Sequence, residues 1–193
     1  MMFLRGSMGL VCGHRRHFFR QVSAVVALGS TMPLISKNAH ASLGQQSVRR
    51  LALYNRHTDE RVDGVYWAND SFQADVVNAF EHNLRDHRQN EVAPMDRRLY
   101  DYLHQIQQRL VTDKEIHIIS GFRSEKTNNM LASRSNGVAK KSFHMKGMAI
   151  DFTIPGIDLA LIRDTAKSLK LGGVGYYPNS GFVHIDTGWV RSW

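Results

Sequence analysis

The chain of 193 residues carries 25 Lys and Arg against 17 Asp and Glu, a formal net charge of +8, and is 42% hydrophobic and 22% charged. These are the proportions of a soluble globular protein with room for one core, and no apolar run is long enough, or free enough of polar breaks, for a stable membrane span. Five basic residues (Arg5, Arg15, Arg16, Arg20 and Lys37) fall within residues 1–41, which hold no acid, so the rest carries 20 basic against 17 acidic residues scattered among one another. That pattern argues against a clustered nucleic-acid-binding face and for a mildly basic body suited to an anionic polymer such as the cell wall.

The N-terminus reads as an address. Residues 14–20 are His-Arg-Arg-His-Phe-Phe-Arg, a weakly apolar stretch follows from Val22 to Ile35, and Ala39-His40-Ala41 comes after Lys37. Basic region, apolar region and small-x-small site in that order predict a cleavable signal. The paired Arg15-Arg16 followed by two phenylalanines resembles the twin-arginine export signal. The expected boundary lies after Ala41, with residues 1–41 as the signal and 42–193 as a single domain. A basic arm around a short buried helix is the alternative. The only cysteine is Cys12, so the chain beyond residue 41 forms no disulfide.

Residues 48–55 and 61–67 are apolar-rich runs separated by polar residues and predict a hairpin. Asp70-Ser71 offers an N-cap for a helix carrying Phe72, Val76, Val77, Phe80 and Leu84 on one face. Beyond Pro94, Asp96 offers a cap for a second helix with Leu99, Leu103, Ile106 and Leu110 on its face. Such stripes are core packing. Residues 115–120 are short and β-branched, a strand, and 125–134 read as helical. Residues 148–154 predict a strand and 159–169 a helix, with 174–177 and 182–187 forming a closing hairpin. The sum is an α+β domain, N-terminal helices packed on a mostly antiparallel sheet.

Two segments carry the chemistry. In Ser142-Phe-His144-Met-Lys-Gly147-Met-Ala-Ile-Asp151, Gly147 permits a tight turn, so His144 from the loop and Asp151 from the following strand can converge. In Gly181-Phe-Val-His184-Ile-Asp186, His184 and Asp186 lie two apart in a strand and share a face. Two imidazoles and a carboxylate are a donor set for catalytic zinc, with one position left open. Taken singly, each of these residues has a structural reading as a turn or core group. Ser120-Gly-Phe-Arg123-Ser, at the end of a strand, adds an arginine able to bind a carboxylate or an oxyanion, or to form a surface salt bridge. His57, His82, His87, His104 and His117 read as surface or structural residues.

Together, Ser120-Gly-Phe-Arg123-Ser, Ser142-Phe-His144-(x6)-Asp151 and Phe182-Val-His184-Ile-Asp186 resemble the zinc peptidases of the LAS group (lysostaphin, D-alanyl-D-alanine carboxypeptidases, sonic hedgehog). With Thr127-Asn-Asn129, Gly137-Val-Ala-Lys-Lys141 and Gly172-Gly-Val-Gly-Tyr-Tyr-Pro178, residues 48–193 resemble more closely the YcbK-like (MepK) murein endopeptidases. The resemblance implies the small hedgehog-like α+β fold and zinc held by His144, Asp151 and His184. It implies Arg123 and Ser142 in the substrate cleft, and hydrolysis of peptidoglycan stem or cross-link peptides by a periplasmic monomer. One departure stands out. Where many relatives place a general base just before the last ligand, this chain has Gly181 and Phe182, leaving Asp186 either as the base or as a carboxylate that orients a ligand. A wall-binding protein without turnover, and an amidase acting at the sugar–peptide junction, are the rival readings.

Overall fold

The computed structural model describes residues 48–134 and 139–193. The chain divides into two units, Met1–Ala41 and Ser42–Trp193, and the fold is that of the second. The expected signal and its expected cleavage site lie outside the described residues, as do Gly137 and Val138 of the quoted motif.

Among the described residues, one eight-stranded sheet forms the domain. Its strands are β1 (Arg49–Asn55), β2 (Glu60–Ala68), β3 (Ser71–Phe72), β4 (Ile116–Ser120), β5 (Ala149–Thr153), β6 (Gly173–Tyr177), β7 (Phe182–Asp186) and β8 (Arg191–Ser192). The spatial order is β3-β2-β1-β4-β5-β7-β6-β8. β1–β4 and β6–β8 pair parallel, and every other neighbouring pair is antiparallel. The helices are α1 (Ala74–Asn83), α2 (Arg98–Arg109), α3 (Glu125–Arg134) and α4 (Leu159–Leu169). No helix among the described residues is long and apolar enough to cross a membrane.

The alternation of β5 and β7 decides where the core ends and the site begins. Ile150 and Phe152 of β5, with Val183 and Ile185 of β7, join one core cluster with Phe80 of α1, Leu103 and Ile106 of α2, and Ile162 and Ala166 of α4. Their in-between neighbours, Asp151, His184 and Asp186, therefore face away from that core. The Tyr102 hydroxyl donates to the Ala166 carbonyl at 2.9 Å and ties α2 to α4 beneath the sheet.

Three local features differ from the sequence reading. Asn69 and Asp70 sit at φ 52° and 54° between the paired Ala68 and Ser71. They form a two-residue turn that continues the hairpin into β3, so Asp70-Ser71 is not a helix cap and Phe72 is a strand residue packed edge-on against Trp67. Gln73 occupies the N-cap of α1 without a side-chain cap bond. Helix α2 begins after Arg97, but the Asp96 carboxylate accepts from the Arg98 N–H at 3.0 Å, so the aspartate still serves the first turn. β8 was unexpected: a two-residue strand gives no periodic signal.

Candidate metal centre

His144, Asp151 and His184 are all buried and present ligand atoms that lie together. Asp151 and His184 are directly opposed partners in the β5–β7 ladder. His144 arrives on the 3-10 turn Phe143–Lys146, which ends at Gly147 with φ 64°. A side chain at Gly147 would run into the Pro94 carbonyl, so both conformation and space require glycine there. The Ser142 hydroxyl accepts from the His144 N–H at 3.3 Å and caps this turn, while the residue also lines the cleft.

Each ring has one nitrogen committed elsewhere. His144 Nδ1 donates to the Gly121 carbonyl at 2.7 Å, leaving Nε2 to face the centre. His184 Nε2 lies 3.2 Å from Asp186 Oδ2, leaving Nδ1 to face it. His144 Nε2 is 3.2 Å from Asp151 Oδ1 and 3.3 Å from His184 Nδ1, and the latter is 2.8 Å from Asp151 Oδ1. Three lone-pair atoms aimed at one another this closely repel unless a proton or a cation sits among them.

The charges agree. Burial holds His144 below its ordinary pKa, which favours the neutral ring that a ligand must be. Burial opposes charge on His184 too, but hydrogen bonds to Asp151 and Asp186 outweigh it and raise its pKa. The carboxylates that draw a proton there would equally draw a cation. Burial also works against Asp151 and Asp186 ionising. His144 and His184 reverse this at Asp151, and His184 with Arg191 reverses it at Asp186, so both stay below the usual carboxylate range.

Arg123 sits on the loop after β4. The β4–β5 register shifts between Ile118 and Ser120, so that Ser120 pairs with Asp151. Such an irregularity redirects the chain beside a site. Arg123 Nη2 then donates to Asp151 Oδ2 at 2.7 Å and Nε to Ser120 Oγ at 2.8 Å. Only 13% exposed, its side chain is no surface salt bridge. Asp186 lies on the far side of His184 and is fully buried. It accepts from the Gly173 N–H at 3.2 Å, the Gly188 N–H at 2.9 Å and both terminal nitrogens of Arg191.

A cleft of about 440 Å³ opens over His144, Asp151 and His184, with Arg123, Lys141 and Arg191 supplying cations and Tyr177, Phe182 and Trp189 supplying aromatic walls. Among the described residues lining it, Asp151 is the only carboxylate. Sequence reasoning missed Arg191 and Asp86. The Asp86 Oδ2 accepts from the N–H and hydroxyl of Ser124 at 3.0 and 2.6 Å and so anchors the Arg123 loop.

Comparison with known proteins gives the family. Residues 44–193 match the M15 peptidase family described as peptidoglycan L,D-endopeptidase MepK. The peptidoglycan L,D-endopeptidase MepK of Escherichia coli K12 is 45% identical over 168 residues, which is 87% of this chain and 91% of that protein. The Haemophilus influenzae protein named "Probable peptidoglycan L,D-endopeptidase MepK" is 40% identical over 169 residues, covering 87% and 90% respectively. No solved structure matches the chain. A buried His-Asp-His cluster able to hold a metal, on a chain matched over nearly its whole described length, has one reading: the chain belongs to the peptidoglycan L,D-endopeptidase MepK family, a family of metallopeptidase type.

Proposed function

We infer that this protein is an exported zinc peptidase that hydrolyses cross-link peptides of peptidoglycan, at a bond joining an L-configured to a D-configured centre. The family membership and the names of the relatives support the substrate and the bond. Of two candidate cross-links, diaminopimelate–diaminopimelate joins an L to a D centre, whereas D-alanyl–diaminopimelate joins two D centres. The observation that carries the metal is the triangle of His144 Nε2, Asp151 Oδ1 and His184 Nδ1 with sides of 2.8–3.3 Å. Neighbouring ligand atoms of a tetrahedral zinc stand roughly 3.3–3.5 Å apart, given ligand bonds of about 2.0–2.1 Å. The three side chains meet that demand after adjustments of a few tenths of an ångström, and two nitrogens with one oxygen suit zinc better than magnesium or calcium.

Zinc held there would supply Lewis acidity, polarising the scissile carbonyl and lowering the pKa of a water. The protein's own groups do the rest. Gly121 and Asp186 fix the His144 and His184 rings in the tautomers that leave ligand lone pairs free. Arg123 holds the outer oxygen of Asp151 and borders the cleft, where its guanidinium can meet the substrate's developing negative charge. Lys141 and Ser142 flank the substrate. Asp186 supports His184 and does not act as the base, because the imidazole stands between its carboxylate and the centre.

Mass spectrometry of muropeptides before and after incubation with the purified domain tests this reading. The expected result is loss of diaminopimelate–diaminopimelate cross-links, abolished in His184→Ala along with most bound zinc. Release of intact stem peptides from the sugar would instead make the protein an amidase, and binding without any product would make it a wall-binding module.

A further inference from the structure

The Asp186 carboxylate does not stand alone behind His184. Arg191 Nη2 donates to Asp186 Oδ2 at 2.6 Å and Nη1 to Oδ1 at 3.0 Å, a two-pronged fork on a fully buried acid. Arg–carboxylate forks fix orientation as well as charge. Asp186 Oδ2 is the same oxygen that faces His184 Nε2. The chain of contacts thus runs from Arg191 through Asp186 to the imidazole whose other nitrogen faces the metal position.

The surroundings are shaped to hold that fork. Arg191 lies on β8 directly opposite Gly173 in the parallel β6–β8 pairing. A methyl group at Gly173 would collide with Arg191 Nη1 and Asp186 Oδ2, so only glycine leaves room for the pair to pass over β6. The guanidinium is also enclosed by aromatic rings, with its carbon 4.6 Å from the Trp189 ring, 4.8 Å from Trp193 and 5.4 Å from Phe143. Cation–π contact on several sides confines a side chain that would otherwise explore solvent. Although Arg191 borders the cleft, its terminal nitrogens are committed to Asp186, and Nη1 additionally to the Trp189 carbonyl at 3.2 Å. Three of its five N–H donors are thus spent within the protein.

We propose that Arg191 is a positioning residue of the metal centre, which aims the Asp186 carboxylate at His184 Nε2 and thereby presents His184 Nδ1 to the metal. The proposal rests on the metal-centre reading above and extends it one layer outward, to the 189–193 segment. It predicts that the fork and the metal are thermodynamically linked, although Arg191 touches no ligand atom.

Zinc affinity, measured by competition with a chromophoric chelator, tests this without any turnover. Arg191→Met should weaken affinity about 10-fold or more, as loss of an outer-layer partner does. Arg191→Lys, which keeps the charge and loses the fork, should fall between it and the wild type. In an Asp186→Asn background, Arg191→Met should cost little further, because the effect travels through Asp186. On peptidoglycan, excess zinc should restore kcat in Arg191→Met with KM unchanged. Unaltered zinc affinity in Arg191→Met, or in Arg191→Lys should the methionine variant not fold, overturns the proposal. So does an affinity loss that simply adds to that of Asp186→Asn, and a raised KM with normal zinc binding would make Arg191 a substrate contact. Zinc that binds as expected in a protein that cleaves nothing would sink the functional reading and leave this one standing.

Discussion

Asp186 accepts five donors: two backbone N–H groups, two guanidinium nitrogens and one imidazole nitrogen. An asparagine there has one acceptor oxygen and must aim an amide at groups that already donate. Asp186→Asn should therefore lower stability by about 1–3 kcal/mol and weaken zinc binding about 10–100-fold, with excess zinc restoring much of the rate. Thermal denaturation and chelator competition would check both; tight zinc with no recoverable turnover would return the residue to the role of base. The facing of Asp151 and His184 was legible in the sequence because spacing along a strand fixes which face a residue takes, and that of His144 because Gly147 marks a tight turn between its loop and β5. The role of Asp186 was not, since residues two apart share a face whether one contacts the front or the back of its neighbour. Arg191 was illegible for a related reason. A lone arginine has no pattern, and only the β8–β6 pairing brings it to the site.

At the scale of elements, the α4 helix matched its reading at both ends. Asp158 caps the Leu161 N–H at 3.0 Å, and Lys170 leaves the helix in a left-handed conformation. The start of α1 did not, because asparagine and aspartate favour left-handed turn positions as well as helix caps. The far end of α1 matters more to the site. The Leu84 carbonyl accepts from the Phe122 N–H at 2.8 Å, and Asp86 binds Ser124 two residues later, so the end of this helix clamps the loop carrying Gly121 and Arg123. Burial works against ionisation of Asp86, but bonds from the Ser124 hydroxyl and from backbone N–H groups outweigh it and keep its pKa below the usual value. A depressed folded pKa stabilises the fold fully above the unfolded value of about 3.9 and loses that contribution as pH falls through the lower folded value. Asp86→Asn should cost about 1–3 kcal/mol at neutral pH, and urea denaturation below about pH 4 should show the gap from wild type closing. A gap independent of pH would mean that the charge of Asp86 contributes nothing.

For the whole molecule, the export proposal is tested apart from the chemistry. Replacing Arg15 and Arg16 with lysine should leave precursor in the cytoplasm, seen by fractionation and the length of the chain; normal processing would count against a twin-arginine route. The sheet itself adds a temporal point. The candidate metal ligands and the groups that orient their rings come from residues 121 to 191, and β8 closes the network at the edge beyond β6. Since synthesis runs from the N-terminus, the hairpin, α1 and α2 exist before any candidate ligand does, and the outermost brace on His184 is made after all three of them. A nascent chain halted between His184 and Arg191 thus holds the three candidate ligands without their outermost brace, and should take up metal less tightly than one whose β8 has docked.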